Sequence, residues 1–526
     1  MRLTILLALF PLFCFSQSNI ILIENDVTKN LEYGINSSDL NIHTASKPYV
    51  YNNIAGINVD SLLTPFEPKN KYKHNIFLRK LLVEDLVNVD TSEFYLDVNF
   101  LLDYSKGLDI LSDSALNYNI RGVMVRGKIA EKLSFVSVFQ ESQAFFPDYI
   151  ASFINYSRVV PGRGRTKGLM SYGYDFAPAT GHLSYSPNQF FNLQVGHGKN
   201  VIGEGYRSLL LSDVSPAYPF AKFTITHKRI QYVAMFNASQ KIKSYDNPLL
   251  IGFQRKHGTF NFLNIILTKA IHIGFFEAIL WETTTETENN KFSAMYFVPV
   301  IYSRLPFVGF NSDHNALIGT NIKFIPHKQI QFYAQFAFDG KYQNSDTVFK
   351  KTAFQIGGKY FEPLGVKNLY FQAEYNQASP YMYASENAKQ NFTFYNQPMA
   401  HILGANFKEF LSILTYRYQR FSFSYKFNHI TQGADSMGTH YGSNIYLSDS
   451  QFSAIADESD FATGRGVRTK IIHHALSFSY TVNPRNNMQI FASYNYRLYK
   501  NELVEKRNSY FYVGIRTSIS NFYTDF

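Results

Sequence analysis

The sequence predicts an all-β fold, a transmembrane antiparallel β-barrel of roughly 18 strands preceded by a small helix-containing segment. Three observations predict it. After about residue 93, apolar and polar residues alternate with a period of two, which puts one strand face in an apolar medium and the other in a polar one. Aromatic residues are abundant, with 49 Phe and 38 Tyr in 526 residues, and they crowd the strand ends as the girdles of membrane barrels require. Charged residues make up only 17%, below the ~25% usual in soluble domains. A mean hydropathy of −0.18 excludes a bundle of membrane-crossing helices.

In chain order, residues 1–16 read as a secretory signal peptide. Met1 and Arg2 give a positive start, Leu3 to Phe15 are apolar, and Cys14 and Ser16 place small residues before a cut at Gln17. The apolar run of 13 is too short to cross a bilayer, which takes about 20 residues. Bulky Leu12 and Phe13 argue against Cys14 as a lipidated cysteine. Since Cys14 is the single cysteine, the mature chain is expected to have no disulfide, no thiol nucleophile and no Cys–metal site. The net charge of +10 comes from Lys and Arg scattered singly. Without a clustered basic motif, and in an exported chain, that excess does not point to nucleic acid. It suits anionic partners outside the cytoplasm, such as lipopolysaccharide or acidic polysaccharide.

Residues 17–92 form an N-terminal periplasmic segment with many turn-formers, among them Asn36-Ser37-Ser38-Asp39 and Pro68-Lys69-Asn70. Within it the spacing of Phe77, Leu78, Leu81, Leu82 and Leu86 predicts an amphipathic helix from about His74 to Val87. The plainest reading packs its apolar face against its own domain.

Residues 93–526 carry the strands. Ile330, Phe332, Ala334, Phe336 and Phe338 alternate with Gln329, Gln331, Tyr333 and Gln335. Leu369, Phe371, Ala373 and Tyr375 alternate with Tyr370, Gln372, Glu374 and Asn376, and Phe421, Phe423, Tyr425 and Phe427 with Ser422, Ser424 and Lys426. The series Met488, Ile490, Ala492, Tyr494 and Tyr496 does the same against Gln489, Ser493, Asn495 and Arg497. Polar faces of Gln, Asn, Ser and Lys suit a wet lumen better than the dry interface of a sandwich, and no propeller repeat is visible. At about 24 residues per strand and connection, the segment accommodates roughly 18 strands. Long polar stretches are expected as outer loops: 143–172, 282–291, 340–350, 377–396 and 431–468. The last carries Asp449, Asp457, Glu458 and Asp460, whose spacing is not that of a calcium loop. An aromatic last strand begins at Tyr510, and Phe526 resembles the terminal aromatic of bacterial outer-membrane proteins.

No catalytic or metal constellation stands out. Gly196-His197-Gly198-Lys199 lacks the spacing of a phosphate loop, and adjacent His473 and His474 in a strand point to opposite faces. Neither H-E-x-x-H nor G-x-S-x-G occurs. The expectation is a non-enzymatic chain with no cofactor and no metal. A solute pore and an outer-membrane hydrolase are the alternatives.

The block from Phe191 to Asp213, with Gly196-His197-Gly198-Lys199 and Gly203-Glu204-Gly205-Tyr206-Arg207-Ser208 at its heart, resembles the Wzi-like capsule-assembly proteins. It is similar, more closely, to the RemB-type gliding-motility proteins of the Bacteroidetes. Lys47-Pro48-Tyr49, His314 to Gly319, Asn396-Gln397-Pro398 and Gly404-Ala405-Asn406 extend the resemblance over most of the mature chain. The resemblance implies an outer-membrane barrel with a helical periplasmic portion. It further implies a role in surface polysaccharide organisation or gliding motility, with membrane lipid, surface polysaccharide and envelope proteins as partners. Gly203, Gly205, Tyr206, Arg207, Ser208 and Asp213 are the candidate site. They either bind a glycan, with Tyr206 as aromatic plate and Arg207 for a carboxylate or phosphate, or shape the lumen, with Arg207 and Asp213 paired inside it.

Overall fold

The computed structural model describes residues 20–50, 74–170, 173–244, 251–282, 298–303, 314–344, 347–450, 461–517 and 520–526, apart from positions 22, 24, 131 and 437, together with Ile54, Ile57, Leu62 and Ser453. Residues 1–16, expected as a signal peptide, and Asp457, Glu458 and Asp460 lie outside the described residues.

Eighteen long strands close an antiparallel barrel. They are β1 Phe94–Asp109, β2 Ser114–Ile129, β3 Leu133–Phe145, β4 Ala179–Tyr185, β5 Phe191–Gly198 and β6 Tyr218–His227. Next come β7 Ile230–Ser244, β8 Ile251–Ile266, β9 Ile271–Glu282, β10 His314–His327, β11 Ile330–Asn344 and β12 Thr347–Phe361. The last are β13 Leu369–Ala378, β14 Phe407–Tyr418, β15 Phe421–Ala434, β16 Val467–Asn483, β17 Met488–Lys500 and β18 Glu505–Thr517. The seam joins β18 to β1, with Tyr512 opposite Gly107 and Arg516 opposite Asp103.

The alternation sorts as the sequence predicts, and it does so inside out. Phe332, Phe336, Phe354, Ile356, Phe371 and Phe423 are exposed on the outer wall, while Gln331, Gln335, Gln355, Gln372 and Glu374 are buried in the lumen. Only a hydrocarbon surrounding satisfies such an exterior. His473 is buried inward, and His474 faces the other way against Tyr425 and Phe427.

Strands meet in tight turns at one end, as at 228–229 and 419–420, and in the long connections 146–178, 199–217, 283–313, 379–406 and 435–466 at the other. In membrane barrels the short turns are periplasmic and the long loops extracellular. The stretch 340–350 is a correction: β11 and β12 run through it, Asn344 pairing with Thr347, so this connection is a hairpin.

The lumen is filled by the chain itself. The 199–217 and 379–406 connections fold inward and form a packed cluster that includes Leu209, Leu210, Leu211, Met382, Tyr383, Phe392 and Met399. From the other end the N-terminal segment enters, led by helix α1 (Asn25–Ser37). Its Glu32 bonds Lys359 at 2.6 Å, its Tyr33 stacks on Phe361 at 5.4 Å, and Asn36 donates to Gln331. Helix α1 is not among the predicted elements, and the one predicted helix is shorter than expected. Helix α2 spans Ile76–Leu82, capped by the Asn75 side chain, and buries none of its residues. Ile76, Phe77 and Leu81 are exposed rather than packed on their own domain. Strand pairing begins ahead of residue 93, because Val87 already pairs with Val98 of β1.

The C-terminus also corrects the expectation. The last strand ends at Thr517, and the tail turns back into the barrel. Phe526 does not close a strand. It packs on Phe153 and Tyr149 of helix α3 (Asp148–Ser157) at 5.1 and 5.8 Å, and its backbone oxygen accepts from Arg497 Nε.

Candidate functional site

The candidate residues sit in the 199–217 connection, at the level where the two chain ends converge inside the barrel. Gly203 has φ +156, and a Cβ there would stand 2.6 Å from Gln335 Nε2, so only glycine fits without displacing the wall. Its backbone joins the N-terminal segment: Gly203 N–H donates to Ala45 O at 2.8 Å, and its carbonyl accepts from Lys47 Nζ at 2.9 Å. Gly205 also approaches the wall closely, a Cβ there lying 3.0 Å from Glu374 Oε2. That approach lets the Tyr206 and Arg207 backbone N–H groups donate to Glu374 at 3.0 and 2.9 Å. Ser208 Oγ closes the turn onto Ile202 O at 2.6 Å.

Arg207 is the centre of the network. Its Nη2 lies 3.2 Å from Glu409 Oε1 on β14 and 3.1 Å from Asp525 Oδ2 in the tail, with all three side chains fully buried. Its guanidinium carbon sits 5.0 and 5.4 Å from the Tyr206 and Tyr523 ring centroids. Burial pulls the guanidinium down, but the Asp525 and Glu409 carboxylates more than offset this and hold it well above its ordinary value. Asp525 also meets Lys426 at 2.7 Å. Burial pushes its carboxyl up, and Arg207 and Lys426 outweigh that and hold it below the usual range. Glu409 is further held by His401 Nε2 at 2.7 Å and by the Asn376 and Asn428 amides.

Tyr206 OH accepts from Lys426 Nζ at 3.1 Å, and its ring meets Tyr523 edge-on. Asp213 is not the partner of Arg207. Its carboxylate accepts from Tyr523 OH at 2.9 Å and Asn521 Nδ2 at 2.8 Å, so it too ties the connection to the tail. The six candidate residues therefore lie together, and each faces another chain segment. Sequence reasoning missed the partners Glu374, Lys426, Glu409 and Asp525. Glu374 and Lys426 stand on the polar faces of quoted strands, and an acid or base on an inward face is the signal that could have found them. For Asp525, pairing followed from a tail that reverses direction, which no periodicity encodes.

The other short motifs are joins as well. Asn406 Nδ2 donates to the carbonyls of Gly433, Tyr441 and Arg465, each at 2.9 Å. Gln397 Oε1 accepts from Gly162 N, and Lys47 reaches Glu32 at 3.8 Å besides Gly203. The arrangement binds loops, tail and N-terminal segment into one plug.

No protein-family model and no curated protein matches the sequence. Among solved structures, the chain is similar to Wzi of Escherichia coli, described as an outer-membrane protein involved in group 1 capsule assembly and a carbohydrate-binding β-barrel. The identity is 12%, the match covers 96% of this chain and 100% of that one, and the TM-score is 0.57. Matches to OprD of Pseudomonas aeruginosa (9% identity, 80% and 94% covered, TM-score 0.42) and OccAB2 of Acinetobacter baumannii (9%, 80% and 97%, 0.44) are weaker. The likeness to Wzi is one of fold, over the full length of both chains.

Proposed function

We propose that this protein is a non-enzymatic outer-membrane barrel that holds or organises surface polysaccharide. The observation that carries this reading is the filled lumen. Two loops, the N-terminal segment and the C-terminal tail occupy the channel; Arg207 ties one loop and the tail to Glu409 on the wall, and Glu32 ties the N-terminal segment to Lys359. A barrel so occupied suits holding a ligand better than passing solutes. The full-length fold likeness to a carbohydrate-binding barrel supports the same choice. In this reading the 203–213 residues shape the plug, and the long loops on the outer side meet the glycan.

Gliding motility is the second reading, favoured by the resemblance of residues 191–213 to the motility proteins. A clean deletion in the source bacterium, scored for polysaccharide retention and for movement on agar and glass, tests both. Shed polysaccharide with normal movement supports the first reading, and lost movement with normal polysaccharide supports the second. Steady ionic current through the purified protein in planar bilayers would overturn both in favour of a pore.

A further inference from the structure

A cavity of about 350 Å³ lies in the lumen beneath the 203–213 turn, between the N-terminal segment, the tail and the wall. Its lining contains six cationic side chains (Lys29, Lys47, Arg163, Lys359, Lys426 and Arg516) against two acidic ones, Glu32 and Asp103. Two of the lysines share Glu32, and Lys426 is met by Asp525. The two arginines are different. Among the described residues neither forms an ion pair with a carboxylate, although Asp103 lines the same chamber and stands opposite Arg516 across the seam.

Each guanidinium instead lies over an aromatic ring. Arg163 reaches in from the 146–178 connection, donates to Ser520 Oγ at 2.8 Å and lies 5.3 Å from the Phe522 ring centroid. Arg516, near the end of β18, lies 4.3 Å from the Phe491 ring centroid, and its Nε is buried with no hydrogen-bond partner. A buried donor without an acceptor is costly, and an excess of positive charge in an enclosed lumen attracts an anion. Planar guanidiniums fixed on aromatic rings are the donors that read a carboxylate or phosphate through paired hydrogen bonds. Around them stand Tyr118, Tyr510 and Tyr512 with Ser493 and Asn495, a surface of flat rings and short polar groups suited to a sugar. The volume lies near the lower end of ligand pockets, about 300–1,000 Å³, and admits a short unit rather than a polymer.

We propose that this chamber binds an acidic saccharide unit, its anionic group held between Arg163 and Arg516 and its ring against the tyrosines. The proposal rests on the polysaccharide reading above and places a second sugar contact inside the barrel. Titration calorimetry on the full-length protein in detergent, with glucuronic acid, glucose and inorganic phosphate as probes, tests it. Glucuronic acid is expected to bind at least ten-fold more tightly than glucose. Arg163→Gln and Arg516→Gln are each expected to weaken it at least ten-fold while the barrel keeps its heat-modifiable mobility on gels. Arg516→Lys, which keeps the charge but loses the planar fork, is expected to fall between.

No glucuronic acid binding, or binding unchanged in both glutamine variants, overturns the proposal. Phosphate binding as tightly as glucuronic acid overturns its saccharide part. If the deletion strain retains its polysaccharide while glucuronic acid still binds the arginines, the polysaccharide reading fails and the chamber stands. If polysaccharide is shed and neither variant matters, the reverse holds.

Discussion

Arg207 and Asp525, 318 positions apart in the chain, meet at 3.1 Å with neither side chain exposed. One belongs to an inward-folded connection and the other to the returning tail, so this contact pins two of the lumen's four fillings to each other. Glu409 on the wall completes the triad.

Removing one member of a buried pair leaves the other charged and unsolvated, a loss of about 3–5 kcal/mol. Asp525→Asn is expected to lower the free energy of unfolding in denaturant by about that amount, because it leaves Lys426 without its carboxylate and Arg207 with Glu409 alone. An apolar double replacement, Arg207→Met with Asp525→Leu, is expected to recover part of it. A loss in the double variant equal to the sum of the two single losses would show that the pair itself matters little.

Gly205→Ala places a methyl group 2.7 Å from Arg207 O and 3.0 Å from Glu374 Oε2. Overpacking of this kind costs about 1–3 kcal/mol, and the strain falls on the turn, not the wall. Hydrogen exchange should accelerate at Tyr206 and Arg207, whose N–H groups Glu374 holds, with little change in the strands.

His401 gives the plug a pH dependence. Burial lowers its pKa below the ordinary 6.5 despite the nearby Glu409 carboxylate. Its Nδ1 accepts from Leu403 N–H at 3.2 Å while Nε2 faces Glu409, an arrangement that suits the neutral ring. The unfolded chain takes up a proton below about pH 6.5 while the folded one does not, so stability present above that value is lost as pH falls. The midpoint should drop between pH 7.5 and 5.5, and His401→Gln should flatten the part of that slope that this residue supplies.

Helix α2 exposes Ile76, Phe77 and Leu81 beside the short turn after β16, where Asn483 Nδ2 donates to the carbonyls of Lys80 and Glu84. Exposed Val87 and Val89 continue this surface towards β1. The expected occupant is the inner edge of the bilayer. A Trp at position 77, in a Trp281→Phe background, should be quenched by brominated lipid in proteoliposomes. Full accessibility to aqueous iodide would contradict this.

The wall was legible because a membrane barrel writes its two environments into every second residue. Gln331, Gln335 and Glu374 announced the lumen as plainly as Phe332 and Phe371 announced lipid. The stretches 220–236 and 249–280 are each divided between two strands by tight turns at 228–229 and 267–270. Those turns use Lys, Arg, Thr and Ala rather than Gly or Pro, so no breaker marks them. The plug was less legible. Its contacts join residues far apart in sequence, and a short connection such as 199–217 has no period to read. The family resemblance pointed to this turn, but the geometry assigned Arg207 to the chain's own carboxylates.

The burial of the tail bears on how the protein can be handled. Thr524 O accepts from Tyr149, Asp525 is enclosed, and Phe526 rests on two aromatic rings. An affinity handle or fluorescent reporter appended after Phe526 would therefore have to share the lumen with this packing or pull it out. The hairpin between β17 and β18, where Leu503 is 77% exposed, offers a place for such an insertion that leaves the filling of the barrel undisturbed.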